Sequence, residues 1–213
     1  MREMSDNRKS IDLSTLTFSK LPLRYGTESC FITVTDSLYT AEIVRLRNTP
    51  VLGKYINYVE LTEESHERWL AGQLERDDAL NFALVARQKF TGILSLYNIK
   101  HGESCEFGRM MMPDDGRRIF ALAAEMLGMS FAFEILGTRT LYCVVMEGNN
   151  AVLKFHLRNG WRLDARYERF ELVNGSNARL IGLSMDRSEW PQCFARMRPL
   201  ARRLLAPAQV GTL

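Results

Sequence analysis

Of the three histidines in this chain, His66, His101 and His156, the last stands where proton-transfer chemistry is easiest to place. It lies in Asn149–Trp161, NNAVLKFHLRNGW, shortly after the apolar run Thr140–Val145. The pattern predicts a strand over 139–145, a short loop, a helix over 149–158 and a stop at Gly160-Trp161. An imidazole at the mouth of a cleft could pass a proton near neutral pH, because its unperturbed pKa is about 6.5. The alternative is a helix histidine facing a polar edge. Candidate bases are Glu106, on a strand predicted over 104–112, Glu60 in a loop, and Tyr97 near a strand end; a water chain could serve instead. His66 reads as an exposed, uninvolved helix residue, with substrate contact as the alternative.

A second constellation is a strand-turn-helix. Strand 104–112 runs into Pro113-Asp114-Asp115-Gly116-Arg117-Arg118, and Ile119, Leu122, Ala123, Met126 and Leu127 then recur at helical spacing towards Gly137. A helix start offers free N–H groups and partial positive charge, which suit an anion such as a pyrophosphate, and Arg117 and Arg118 would add to it. Asp114 and Asp115 oppose that reading, and a solvated charged turn is the alternative.

Other elements must hold these groups in place. The β-branched run 30–35 is a strand, and a helix carrying Ile43, Val44 and Leu46 follows and ends before Pro50. Thr62 caps a second helix reaching about Arg76, with Glu63 and Glu64 at its positive end. Strands 81–87 and 91–97 form a hairpin with no strong glycine signal at its turn. Strands 167–173 and 178–185 flank Asn174-Gly175. The predicted division is a polar leader over 1–28, one domain over 29–187, and an amphipathic tail over 188–213 that Pro191 and Pro199 interrupt.

Bulk composition excludes several classes. The chain has 213 residues, 46% hydrophobic and 25% charged, with a formal net charge of +3. That size supports a core without metals, and that charge gives no case for nucleic acid. Cys30, Cys105, Cys143 and Cys193 form no CxxC pair and read as reduced thiols of a cytoplasmic protein. The histidines lack metal-ligand spacing, so no metal is expected. No apolar run reaches the roughly 18 residues of a membrane-spanning helix, and the polar start shows no secretory signal.

From Phe31 to Trp190 the order of elements resembles the GNAT superfamily of acetyl-CoA-dependent N-acetyltransferases. Arg47-Asn48 looks like the end of that family's first helix, and Phe107–Met112 with Pro113-Asp114 like its central strand and exit. Asn149–Trp161 looks like its N-x-x-A-x-x-x-Y-x-x-x-G-F segment, with Val152, His156, Gly160 and Trp161 at the later positions. The resemblance implies an α/β (α+β) GNAT fold. Its mixed, mostly antiparallel central sheet has a V-shaped splay between the fourth and fifth strands, 104–112 and 139–145, and helices on both faces. It implies acetyl-CoA as co-substrate, held by the backbone at Met110, Met111 and Met112, by Gly116, Arg117, Arg118 and Ile119 at the pyrophosphate, and by Asn149. The Met run would otherwise simply fill core. The chain departs from the family at the pyrophosphate loop, where Pro113 and Arg118 replace expected residues, and at His156, which replaces the tyrosine taken to protonate the CoA thiolate.

Leu46-Arg47-Asn48, Thr62–Leu70 with Trp69, Phe155-His156 and Leu183–Trp190 look most like the sugar-nucleotide amine acetyltransferases. That implies a small-molecule acceptor, the amine of a nucleotide-linked deoxysugar, with Tyr55, Tyr58 or Trp69 to stack on its base. Nucleic acid and membrane insertion are not expected, and a homodimer is left open. Two alternatives are an acetyltransferase acting on a protein N-terminus or ribosomal protein, and a degenerate fold that binds acyl-CoA without catalysis. An acidic groove favours a basic peptide; a basic or aromatic groove favours a nucleotide.

Overall fold

One mixed sheet organises the chain in the computed structural model, which describes residues 24–26, 30–35, 37–53, 55–56, 58–113 and 118–205. In chain order the elements are β1 (Arg24–Gly26), β2 (Cys30–Val34), α1 (Thr40–Arg47), the short α2 (Pro50–Gly53), α3 (Glu63–Leu74), β3 (Ala79–Ala86), β4 (Lys89–Lys100) and β5 (Ser104–Met111). Then come α4 (Arg118–Ser130), β6 (Thr140–Met146), α5 (Asn150–Arg158), β7 (Arg162–Leu163), β8 (Arg169–Val173), β9 (Ser176–Asp186) and α6 (Trp190–Leu205). The strand order is β1-β2-β3-β4-β5-β6-β9-β7, and β8 also pairs with β9. Every pairing is antiparallel except β5 with β6. The fold matches the architecture expected, with the fourth and fifth expected strands now β5 and β6 because β1 precedes them.

The sheet has helices on both faces because its strands are apolar on both. All eight residues of β3 are buried, as suits an interior strand. Phe82 and Phe107 face the α4 side, where Phe82 meets Phe131, just past the end of α4, edge-on at 5.2 Å and Phe107 packs over Gly128. Asn81 and Ser95, paired in register, face α1 and α3 instead, and Ser95 Oγ donates to Asn81 Oδ1 at 2.8 Å. Thr62 caps α3 as expected, through a reciprocal box with Ser65.

Several local expectations change. The β3–β4 turn is Arg87-Gln88, both left-handed at φ 51° and 61°, so a two-residue turn forms without glycine. Three residues of the expected leader form β1, where Tyr25 packs edge-on against Phe131 at 5.5 Å. A strand of three residues is too short to show a period. The tail helix is not interrupted: α6 runs from Trp190 to Leu205 through Pro199. Pro191 sits in its first turn, where a missing N–H costs nothing. Trp190, Cys193, Met197 and Ala201 form its buried stripe. Residues 1–23 and 206–213 lie outside the described residues.

Candidate active site

The sheet opens at one seam. β5 and β6 pair only over Ser104–Glu106 and Thr140–Tyr142, although β5 continues to Met111 and β6 to Met146. Beyond Glu106 the facing edges of the two strands no longer pair with each other, which leaves backbone donors and acceptors for a ligand. β5 also carries a bulge on its other edge. Ser95 lies opposite Gly108 and Ile93 opposite Met111, so three steps on β5 match two on β4. Arg109 absorbs the extra residue at φ 51°, a left-handed conformation uncommon for a non-glycine. Met111 is buried, and Met110 and Met112 pack against the core. Of the expected pyrophosphate loop, Gly116 and Arg117 lie outside the described residues, and Arg118 and Ile119 begin α4. Asn149 is the N-cap of α5, its side chain accepting from the Val152 N–H at 3.4 Å.

His156 lies in the interior, on the α4 face of the sheet, and not at a cleft mouth. It is 4% exposed and meets Phe107 edge-on at 6.3 Å and Trp161 at 5.4 Å. Its Nδ1 is 2.6 Å from Oε1 of Glu125, a fully buried α4 carboxylate. Trp161 Nε1 donates to the same oxygen at 2.8 Å, and Asn159 Nδ2 donates to Oε2. A buried carboxylate needs donors on both oxygens, and the span Asn150–Trp161 provides all three. With Nδ1 engaged by Glu125, Nε2 is the ring nitrogen that remains. No hydrogen bond engages Nε2 among the described residues. Sequence reasoning missed Glu125, although a lone acid within Ala123-Ala124-Glu125-Met126-Leu127 was a visible signal.

On the opposite face a cleft of about 280 Å³ opens between α1, α3 and strands β3 to β5. Its polar lining includes Arg47, His66, Trp69, Asn81, Ser95 and Arg109, and among the described residues none that lines it is a carboxylate. Asn48 fixes its two helical walls. Its amide donates to the Leu61 carbonyl at 2.8 Å and its oxygen accepts from the Leu61 N–H at 2.9 Å. This ties the end of α1, with Arg47, to the start of α3, with His66. His66 is therefore not exposed: it is 4% exposed, it stacks on Trp69 at 5.5 Å, and its buried Nε2 has no partner. Burial first, and the Arg47 charge second, lower its pKa, so the ring is neutral at pH 7. Its spacing from Leu70 and Gln73, i, i+4, i+7, marks one α3 face and could have revealed it.

Glu106 shares the cleft's face of the sheet but does not line it. It is fully buried and satisfied: Arg169 Nη2 at 2.8 Å and the Tyr97 hydroxyl at 3.0 Å donate to Oε1, and Asn98 Nδ2 at 2.9 Å donates to Oε2. Burial, then Glu106 itself, raise the Tyr97 hydroxyl well above the phenol range, so it remains a donor. Tyr97 lies across Gly108, where an added Cβ would stand 2.7 Å from its hydroxyl oxygen. Arg169 arrives because the chain crosses β9 at Gly182, where an added Cβ would lie 2.4 Å from the Asp164 carbonyl oxygen. The crossing lays Tyr167 flat on Tyr142 with centroids 4.1 Å apart. Among the other candidates, Glu60 is exposed, Tyr55 donates to the Gly148 carbonyl at 3.4 Å, and the Tyr58 N–H donates to Asn174 Oδ1 at 2.7 Å. Neither tyrosine lines the cleft; Trp69 does.

The cysteines take no part. All four are buried, and burial pushes the Cys30 thiol up to about 11 and raises Cys105 and Cys143. Among the described residues no group of three or more His, Cys, Asp or Glu is placed to hold a metal, and no helix is long and apolar enough to cross a membrane.

Comparison with known proteins gives this geometry a context. Residues 32–162 match the family model described as "Acetyltransferase (GNAT) domain". A curated relative, "Acetyltransferase PseH" of Campylobacter jejuni subsp. jejuni serotype O:23/36 (strain 81-176), is 29% identical over 118 residues, covering 55% of this chain and 73% of its own. A GCN5-related N-acetyltransferase from Brucella melitensis superposes with a TM-score of 0.72 at 21% identity, over 91% of each chain. FdhC, described as a nucleotide-linked sugar GNAT, superposes in its apo form with a TM-score of 0.70 at 18% identity, over 87% of this chain and 100% of its own.

Proposed function

The chain belongs to the GNAT acetyltransferase family, and from that premise we propose that it transfers the acetyl group of acetyl-CoA directly to the primary amine of a nucleotide-linked amino sugar. The observation that carries this reading is the cleft on the α1–α3 face: two arginines and a tryptophan line it, with no carboxylate among the described residues. A basic peptide would need acidic residues there. The names of PseH and FdhC are consistent with the reading without deciding the acceptor.

The residues present fit acetyl-CoA. The unpaired edges beyond Glu106 and Tyr142 offer amides and carbonyls to an extended pantetheine arm, and α4 follows β5 in the place a pyrophosphate would use. Acetyl-CoA supplies an activated acyl group as a thioester. The backbone N–H groups of Met110 to Met112, turned by the bulge, polarise its carbonyl. The acceptor amine, entering from the cleft, attacks the thioester carbon to form the new C–N bond and gives up a proton to solvent as the amide forms. The C–S bond breaks, and the leaving thiolate takes a proton from Nε2 of His156, which Glu125 holds through Nδ1 on the other face and which has first taken that proton up from solvent. Glu106 acts in this scheme by tying β4, β5 and β8 together beneath the site.

A thiol-release assay tests the proposal with three acceptors: a nucleotide-linked 4-amino deoxysugar, a panel of basic peptides and a ribosomal-protein N-terminus. Turnover with the sugar nucleotide alone is expected. Turnover with peptides and not the sugar would overturn the acceptor reading. Thermal stabilisation by acetyl-CoA with no turnover on any acceptor would identify a binding domain instead.

A further inference from the structure

We propose that Arg47, His66 and Arg109 form an anion-binding subsite in the cleft, which takes a diphosphate. The inference rests on the acceptor reading above, because the linker of a nucleotide sugar is a diphosphate, but its ligand chemistry is independent of acetyl transfer.

Three elements deliver the three groups to one cavity: the end of α1, the second turn of α3 and the bulge of β5. Neither guanidinium meets a carboxylate among the described residues, whereas Arg162, Arg169 and Arg179 each hold two. Arg47 is held below the usual guanidinium value by burial first and by Arg109 second, so the two cations repel across the cleft. Two charges of one sign, Arg47 half-buried and Arg109 exposed, with no carboxylate on either among the described residues, are an unfavourable arrangement that an anion relieves.

His66 is the independent observation. Its Nε2 is buried and has no partner among the described residues, so it has lost water without a replacement. A neutral imidazole offers one N–H, and between two guanidiniums that N–H completes a set of donors for phosphate oxygens. The remaining polar lining does not compete, since Asn81 and Ser95 are bonded to each other. The positions are also fixed. Asn48 clamps the α1–α3 junction, the Thr62 box sets the first turn of α3, and Arg109 lies over the Tyr97 ring at 4.4 Å.

Two diphosphates could meet such a site, that of the acceptor and that of CoA, and inorganic pyrophosphate distinguishes them. With the full chain, pyrophosphate is expected to bind by calorimetry and to inhibit competitively against the acceptor but not against acetyl-CoA. R47Q and R109Q are each expected to weaken pyrophosphate binding by at least about tenfold, with acetyl-CoA affinity kept. H66F, which keeps the ring and removes the N–H, is expected to weaken it less. R109Q is at an exposed position and keeps the test open if R47Q misfolds. Equal pyrophosphate affinity in wild type and R109Q, or competition with acetyl-CoA, would overturn the subsite. If pyrophosphate binding is lost in the variants but no nucleotide sugar is acetylated, the subsite stands and the acceptor reading falls. If a nucleotide sugar is acetylated with an unchanged KM in both arginine variants, the acceptor reading stands and the subsite falls.

Discussion

His156 Nδ1 lies 2.6 Å from Oε1 of Glu125, a carboxylate with no exposure, and this contact joins α5 to α4 behind the point where β5 and β6 part. The pair orients the imidazole and engages its inner nitrogen, so in the proposed reaction Nε2 is the atom that would transfer the proton.

H156A is therefore expected to lower kcat by about 10²–10⁴-fold and to change the shape of the pH–kcat profile. E125Q keeps the shape of the side chain but its amide cannot accept from all three donors, and a stability loss of about 1–3 kcal/mol is expected, together with a displaced pH profile. Steady-state kinetics from pH 5.5 to 9 with parallel thermal melts provide the check. If both variants lower the melting temperature and leave the profile in place, the pair is a tie between helices and His156 is not the acid.

The second prediction concerns His66, which faces Arg47 from α1 and Glu67 and Trp69 on its own helix. Its folded pKa lies below the ordinary histidine value of 6.5. As pH falls through 6.5 the unfolded chain therefore takes up a proton before the folded one does. Stability falls across the window from 6.5 down to the lowered folded value and is level above it. Urea melts at pH 7.5 and pH 5.5 are expected to show a smaller pH dependence in H66F than in wild type. An identical dependence in both would contradict the assigned direction.

The third addresses Glu106. Removing one member of a buried charge pair is costly, about 3–5 kcal/mol, and Arg169 is the partner at 2.8 Å. Because the Arg169 side chain is 35% exposed, the lower end of that range is expected for E106A. The double variant E106A/R169M is expected to recover part of the loss. Additive losses in denaturant melts would mean that the two groups are not coupled.

The fourth is G182A. A Cβ there meets backbone atoms of the 164–168 crossing, the closest at 2.4 Å, and backbone cannot rotate away as a side chain can. A loss of about 1–3 kcal/mol is expected, with a kinetic effect through displacement of Arg169 from Glu106. A variant as stable as wild type would show that the crossing shifts freely.

Much of the fold was legible because its elements are long and strongly patterned. The strands on either side of the seam, the α4 periodicity and the capped starts of α3 and α5 all carry local signals that tertiary contacts reinforce. What escaped depends on partners distant in sequence. Arg87-Gln88 forms a left-handed turn that neither residue favours, because β3 and β4 impose it. His66 looked exposed because α3 is mostly polar, and its burial follows from Asn48 holding Leu61. The His156–Glu125 pair spans 31 residues; the histidine was visible in the motif, whereas its partner was hidden within an apolar helix. The cleft's charge was equally invisible, since Arg47 and Arg109 meet only after α1 packs on β4.

The parting of β5 and β6 makes this sheet a partition with a window in it. Under the proposed function one reactant is served from the room behind, where His156 waits, and the other from the room in front, where the arginines stand, so alterations to the front room would exchange one guest for another while the furniture behind the window stays in place.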